Sequence, residues 1–446
     1  MNLAQYLKNN INRLPLGVRF GQILAYLPYS FRPGLAQSYR KAKRDLLKSS
    51  DKNFSQHSFI FDNVKRVAVH AYENVPFYKM YYDKKCFSPY SMTNFSDIAK
   101  IPIINKALLK EYDVEYISHA EVGSSIVNTG GTSGTPFDFY VHSSAFGHEW
   151  AHIHYMWSKL GFSPSNLKLN FHGRSNIKNT IDYDLLRHSL SVDLYKSFED
   201  IERTLLSKYS RYKIYFLHGY PSSIYEFAKY CEKNTALKVL LNKNLKGVFF
   251  SSEYPFDYMR EFIENTFVVK SQAFYGHTER CVMAFESSRN YYKVLQTYGF
   301  AEVIDGTLIG TSYNSLGTPL IRYDTEDEIS NFRTNEDILE TFSLVSGRSG
   351  DYVYDNKNVK LSLTGLLFGR HHKLFEKVDT IQVCQERIGC LNILYTTSDL
   401  VSPDEARALF DSSNVDIYFS FTEISAPIKT KSGKFKVKVN PDNFNI

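Results

Sequence analysis

Apolar residues along this chain alternate with polar ones in short runs that end at polar or glycine-rich corners. Between those runs they recur at helical spacing. Residues 55–80 carry a helical pattern that should end before a turn at Pro76-Phe77-Tyr78. In IVNTGGTSGTPFDFYVH a short apolar lead meets a loop of Gly, Thr and Ser, and then Phe137, Phe139 and Val141 alternate as a strand. Ser143 or Ser144 is placed to cap a following helix, with Phe146, Trp150, Ile153 and Trp157 on one face. Leu167, Leu169 and Phe171 predict a strand ending at His172-Gly173-Arg174. Ile214 and Phe216 lead to His218-Gly219-Tyr220-Pro221, and a helix follows with Ile224, Phe227, Ala228 and Cys231 on one side. The run 247–250 stops at Ser251-Ser252-Glu253, and Val268 to Phe274 stops at Tyr275-Gly276-His277-Thr278-Glu279. Repeated strand–corner–helix units predict a layered α/β domain, in which ligands gather beyond the carboxyl ends of the strands. After GRSGD (347–351) the pattern changes. Residues 352–446 are expected to form a small α+β unit, with a helix near 403–411 and strands around 415–421 and 435–439. The expected division is a basic helical segment 1–50, a large domain 51–351 and a small C-terminal domain 352–446.

Composition narrows the class. A hydrophobic fraction of 43% over 446 residues is ample for buried cores. No apolar run approaches the roughly 20 residues that cross a bilayer, and the start lacks a secretory pattern. Five scattered cysteines without a close C-x-x-C pair argue for reduced thiols and a cytoplasmic setting. The net charge of +6 is uneven: residues 1–50 hold nine Lys or Arg and one acid, Asp45, for +8, which leaves −2 on the rest. That segment also carries Ile23, Leu24, Tyr26, Leu27 and Phe31. It reads either as a solvated basic helix packed on the body or as a contact with the anionic inner face of a membrane. No basic stripe or recognition motif marks the remainder, so nucleic acid is not an expected partner.

The loop Thr129-Gly130-Gly131-Thr132-Ser133-Gly134-Thr135-Pro136 is suited to polyanions. Small residues let backbone N–H groups approach phosphate oxygens, and the hydroxyls add donors. It is not a Walker loop, because the Gly-Lys-[Ser/Thr] ending is absent. Together with four later segments, the loop resembles the phosphate-binding loop of the adenylate-forming superfamily, which includes acyl-CoA ligases, luciferase and peptide-synthetase adenylation domains. YGHTE (275–279) is similar to that family's Tyr-Gly-x-Thr-Glu. PLIRYDTED (319–327) is similar to its segment ending in Thr-Gly-Asp, GRSGD (347–351) to Gly-Arg-x-x-Asp, and SGK (432–434) to its C-terminal Gly-Lys. The matches occur in the family's order and span residues 129–434. The finer texture of GGTSGTP, HGYPSS, YGHTER and PLIRYDTED resembles the phenylacetate–CoA ligase branch, and within it the CapK-like capsular-polysaccharide subgroup.

The resemblance implies a large α/β domain, a small mobile C-terminal domain and a site between them. The implied activity is ATP-dependent adenylation of a small-molecule carboxylic acid, followed by acyl transfer to an amine, thiol or hydroxyl. Coenzyme A or a sugar-linked compound is a candidate acceptor, and surface polysaccharide synthesis the implied setting. In this reading the 129–135 loop holds the β- and γ-phosphates, Tyr275 and Gly276 flank the adenine, and Thr278 bonds the α-phosphate. Glu279 holds Mg²⁺, Asp327 accepts from the ribose hydroxyls with Arg348 beside it, Asp351 is the hinge, and Lys434 stabilises the reacting α-phosphate. Such a reaction brings anions together, so neutralising charge and in-line positioning are what it needs. Two positions depart from the family pattern. Phe137 replaces the Lys that follows the loop proline, and Glu326 replaces the Gly before the ribose-binding Asp. The acyl pocket is expected among the strand-end residues His172, Arg174, Tyr220, Ser251 and Glu253.

Rival readings exist. His148-Glu149-Trp150-Ala151-His152 matches the H-E-x-x-H of zinc hydrolases, with both histidines one helical turn apart. No third ligand stands at recognisable spacing. An adenylyltransferase that leaves AMP on its product keeps the fold and changes the outcome. A non-catalytic membrane-surface assembly protein with a degraded ATP site would explain segment 1–50, Phe137 and Glu326 together. The identity of the carboxylate, the acceptor and the oligomeric state are not encoded in any motif.

Overall fold

The computed structural model describes residues 17–31, 35–120, 124–128, 137–172, 177–344, 352–368, 370, 372–378, 380–397, 400–428 and 437–439. Strands β1 (Ser124–Asn128) and β2 (Asp138–His142) pair antiparallel. Next come β3 (Leu167–Phe171), β4 (Ile181–Asp184), β5 (Ser189–Val192), β6 (Ile214–Gly219), β7 (Gly247–Phe250) and β8 (Lys270–Gly276). Neighbours in the order β5-β3-β6-β7-β8 are parallel, and β4 closes that edge antiparallel. The chain then adds β9 (Met283–Ser288), β10 (Tyr291–Val294), β11 (Gly299–Ile304), β12 (Thr307–Ser312), β13 (Tyr323–Asn335) and β14 (Ile338–Leu344). These extend the sheet antiparallel in the order β8-β9-β10-β14-β13-β12-β11, giving 12 strands among the described residues.

The parallel strands are buried on both sides because helices cover both faces. Leu217 and Phe250 face a core shared with the helix Pro221–Lys233, which buries Ile224, Phe227, Ala228 and Cys231. Their neighbours Phe216 and Phe249 face a separate cluster with Trp157, Phe162 and Leu46. That second layer is the helix Ser144–Trp157, packed against the helix Ala36–Lys48. Gly147 permits the approach: a Cβ there would lie 2.5 Å from the Leu35 carbonyl oxygen. Its N-terminus is capped differently from expectation. No side chain of Ser143 caps it; the Ser144 N–H donates to His142 Nδ1 at 3.2 Å, and the Ser144 hydroxyl shares a 2.7 Å bond with the same nitrogen.

Other expectations need correcting. Pro76 begins a helix, Pro76–Lys84, rather than a turn, because proline at the first helical position has no N–H to leave unsatisfied. Val268 is not in a strand; it ends the helix Asp257–Phe267 in a left-handed conformation at φ 54°. In β3 Lys168 and Asn170 are as buried as the apolar residues between them. Helices Gly17–Ala25 and Ala36–Lys48 do occur within segment 1–50. The first is docked through Val18, Gly21 and Ala25, and leaves Phe20, Ile23, Tyr26, Leu27 and Phe31 exposed around it.

Residues beyond 351 have their own core, including Val353, Leu361, Leu374, Val383, Ile393, Phe410 and Phe419. They form a hairpin of β15 (Tyr352–Tyr354) and β16 (Lys360–Ser362), and a sheet of β17 (Thr380–Arg387), β18 (Cys390–Thr396), β19 (Tyr418–Glu423) and β20 (Lys438–Val439) in the order β19-β18-β17-β20. The helix Pro403–Leu409 is capped by the Ser402 hydroxyl.

One buried arginine ties the N-terminal part of the chain to the antiparallel half of the sheet. Arg322 grips Glu302 with two bonds of 2.8 and 3.1 Å, and donates to the carbonyls of Ala99 and Ile101 at 2.6 and 2.7 Å. Its backbone carbonyl accepts from Ile104 N–H, and Asp324 N–H donates to the Ile104 carbonyl. Arg322→Met should therefore lower unfolding free energy by about 3–5 kcal/mol, since it strands a buried carboxylate. Adding Glu302→Leu should restore part of that loss in urea melts. The corner just beyond holds Glu326 at φ 60°, the region a glycine occupies without strain. Glu326→Gly should raise stability by roughly 1 kcal/mol, relief of left-handed strain being set against the entropy of glycine. A loss in the same melts would mean that the glutamate side chain makes compensating contacts.

Candidate active site

The strand ends predicted to carry chemistry converge along the carboxyl edge of the parallel half. β8 delivers Tyr275 and Gly276, and the following corner carries His277, Thr278 and Glu279. Fifty-two residues later, Asp327 accepts a 2.7 Å hydrogen bond from the Tyr275 hydroxyl. Tyr275 is buried, its ring meeting Phe342 edge-on at 5.5 Å, whereas Gly276 and Thr278 are exposed. His277 Nδ1 lies 3.3 Å from Glu279 Oε2, and its other ring nitrogen is buried without a hydrogen-bond partner. A buried polar atom left in this state commonly marks a place for a ligand or an ordered water.

Carboxylates outnumber cations in this corner, and Lys106 is the lysine that opposes them. Burial pushes the Glu279 carboxyl up, but the hydrogen bond and charge of His277, its own backbone N–H and Lys106 outweigh it. The net result is a carboxyl below its usual range. Partial burial pushes Glu326 the other way; Lys106 opposes this, and Asp324, Asp327 and Glu279 add to it. A carboxylate held ionised beside other oxygen donors has the chemistry of a Mg²⁺ ligand, and Mg²⁺ needs only one or two protein carboxylates when phosphates supply the rest. The arrangement thus fits that ion. Lys106, 7% exposed, was not anticipated as a site residue. Its signal in the sequence is a lysine enclosed by apolar neighbours in IPIINKALL.

The expected acyl-pocket residues divide into two groups. His172 Nε2 lies 3.3 Å from the Ser251 hydroxyl, which is also 3.5 Å from His218 Nε2, and the Tyr220 ring stands 5.2 Å from that of His172. Glu253 turns instead to the helix Pro221–Lys233, where its carboxylate accepts from the Ser222 hydroxyl at 2.5 Å and from the Ser222 N–H at 3.3 Å. The loop 129–135, Arg174, Arg348, Asp351 and Lys434 lie outside the described residues.

The H-E-x-x-H segment has a structural occupation. His148 Nε2 pairs with the Tyr298 carbonyl at 2.9 Å, and His152 uses both ring nitrogens, on the His148 carbonyl and the Thr297 hydroxyl. Burial lowers both imidazoles, that of His152 to about 4. Glu149 accepts from Arg280 Nε at 3.1 Å. These two rings brace a helix against the sheet, and among the described residues no three His, Cys, Asp or Glu cluster in a metal-holding arrangement.

No protein-family model matches the chain, and no curated protein matches it in sequence. Solved structures do match it. 2-Hydroxyisobutyryl-CoA ligase in complex with 2-HIB-AMP and CoA in the thioesterification state aligns with a TM-score of 0.54 at 16% identity, covering 87% of this chain and 94% of that one. The open conformation of that ligase with 2-HIB-AMP and CoA gives 0.52 at 16% identity, covering 85% and 90%. Its postadenylation state with R3-HIB-AMP gives 0.52 at 15% identity, covering 85% and 88%. At such identities the likeness is one of architecture: the chain shares its mixed α/β fold with 2-hydroxyisobutyryl-CoA ligase.

Proposed function

We propose that this chain activates a carboxylic acid with ATP and passes the acyl group to a nucleophilic acceptor. The observation that carries the reading is the junction of Tyr275 with Asp327, beside the His277–Glu279 pair and Lys106, at the carboxyl edge of this fold. A carboxylate oxygen attacks the α-phosphorus, the bond to the bridging oxygen breaks, and pyrophosphate leaves. An amine, thiol or hydroxyl then attacks the acyl carbon, and AMP leaves. Asp327 would accept from the ribose hydroxyls, oriented by Tyr275. Thr278, exposed at the corner, would donate to the α-phosphate. Glu279 would hold Mg²⁺, which would supply charge neutralisation to the phosphates. Lys434 and Arg348 retain the roles implied by their motifs, and rotation about Asp351 would let the small domain serve both half-reactions. The CapK-like texture of the motifs supports a place in surface polysaccharide synthesis, with a sugar-linked compound or coenzyme A as acceptor.

The test is carboxylate-dependent ATP–pyrophosphate exchange across sugar acids, amino acids and aryl acids. Lys434→Ala should cut exchange by roughly 100-fold or more without altering the melt, as expected for an electrostatic contact made in the transition state. Asp327→Ala should abolish ATP binding in calorimetry. Normal exchange in Lys434→Ala would remove that lysine from the mechanism. Absence of ATP binding by the parent protein would favour the assembly-protein reading.

The N-terminal segment supports a second element of the proposal, contact with an anionic membrane. Ile23, Tyr26 and Phe31 are 70–76% exposed on a segment of net +8. No helix among the described residues is long and apolar enough to cross a membrane. Flotation with phosphatidylserine vesicles should recover the protein and neutral vesicles should not, each basic residue contributing about 1 kcal/mol at low salt. Equal recovery by Ile23→Glu/Phe31→Glu would count against contact through this face.

A further inference from the structure

Beside the candidate nucleotide corner lies a cavity of about 220 Å³, between the helix Ser144–Trp157 and the face of β3 and β6. Its position follows from the fold. Lys168, Asn170 and His172 alternate along β3 and so share one face, His218 of β6 stands next to them, and Arg280 closes the space one residue after Glu279. The apolar stripe expected on the helix contributes Phe146, Trp150 and Ile153 as wall. Three cations stand among these apolar walls.

Those cations are Lys168, Arg187 and Arg280, set against Glu149 on the same wall. Lys168, 2% exposed, donates to the Arg187 carbonyl at 2.9 Å and lies 4.8 Å from the centre of the Phe162 ring. Arg187 is tied to Asp184 at 2.9 Å. Arg280 donates through Nε to Glu149 and rests over Phe146, while its Nη1 is buried with no hydrogen-bond partner. Asn170 donates to the Ser189 hydroxyl, and its buried Oδ1 also has none. Two residues of the wall, Arg280 and Asn170, thus each hold a desolvated polar atom without a hydrogen-bond partner. Each costs free energy in the empty protein and would recover it from a matching ligand group.

Resting on the adenylation reading above, we infer that this cavity selects the acid to be activated: a short, polar carboxylic acid carrying a second anionic group and a hydrogen-bond donor. The second anion meets Arg280, with Lys168 and Arg187 adding positive potential, and a hydroxyl or amine donates to Asn170. The first carboxylate is left at the strand-end side, where His172 and His218 stand. A volume of 220 Å³ is below the ~300–1,000 Å³ common for drug-sized ligands, which suits a short acid. An apolar aryl acid of similar size would leave both Arg280 and Asn170 unsatisfied, which is how polar sites reject such analogues.

Both tryptophans of the chain report on this cavity. Trp150 lines it, and Trp157 lies 6.2 Å behind it, ring to ring. Fluorescence titration with malate and aspartate should give a saturable change, with butyrate and phenylacetate at least about tenfold weaker. Arg280→Gln should weaken malate binding by about 30-fold or more. Glu149→Gln/Arg280→Gln, which leaves no unpaired carboxylate, should show the same loss with an unchanged melt. The same acids are then compared in ATP–pyrophosphate exchange. Malate or aspartate binding without exchange by any acid would keep the cavity assignment and sink adenylation. Exchange supported by butyrate or phenylacetate but not by the polar acids would keep adenylation and overturn the cavity assignment. So would fluorescence that is silent, or that responds equally to all four acids.

Discussion

Arg322 is the constraint through which the candidate site acquires its shape. A buried guanidinium is costly unless it is paired, and the partners of Arg322 come from segments remote in sequence. Glu302 belongs to β11, the Ala99 and Ile101 carbonyls to the segment before the sheet, and the backbone of Arg322 itself bridges to Ile104. The same stitch fixes two flanking positions. Two residues after Ile104 stands Lys106, and five residues after Arg322 stands Asp327. One satisfied cation therefore holds the segment of the buried lysine beside the strand that leads to the acidic corner, whose carboxylates Lys106 opposes.

The sequence made the corners legible and left the pairing between them hidden. His172, His218, Ser251 and Tyr275 could be placed at strand ends because period-two alternation is local, and because parallel strands with helical crossovers all finish at one edge. The insertion of β14 beside β10 could not be read. It pairs residues about fifty apart, and nothing short-range specifies it. Burial of both faces of β3 was equally hidden. Lys168 and Asn170 look like the solvent side of an alternating strand, and only the helix laid over them makes them interior. A serine does stand at the N-cap of that helix, but its hydroxyl makes no capping bond, and a histidine ring from the preceding strand meets the first helical N–H instead.

The H-E-x-x-H segment shows why a motif's chemistry depends on what surrounds its rings. On a helix that opened to solvent, two imidazoles one turn apart could share an ion. Here the helix is pressed between the sheet and the helix Ala36–Lys48, and neutral imidazoles suit such a place. His148 and His152 stack near Tyr298 and spend their polar atoms on the chain around 297–298. The glutamate between them holds Arg280. A segment that resembles a metal site thus works as a strut, and its acid orients the arginine of the neighbouring cavity.

The two departures from the adenylate-forming pattern have different physical meanings. Glu326 keeps the backbone conformation that glycine would supply, at φ 60°, so the corner survives with some strain and an extra carboxylate. Phe137 cannot be read as a lysine replaced without consequence. It is 4% exposed, stacks on Phe139 at 5.8 Å and belongs to the main core, where an ammonium could not be solvated. Under the proposed function, the positive charge lost from that position must come from elsewhere, and Lys106 is a buried cation already coupled to Glu279. An electrostatic requirement is met by total charge and distance, whichever segment provides them. A fold with several segments converging on one edge can therefore move a lysine from one segment to another and still neutralise the same phosphates.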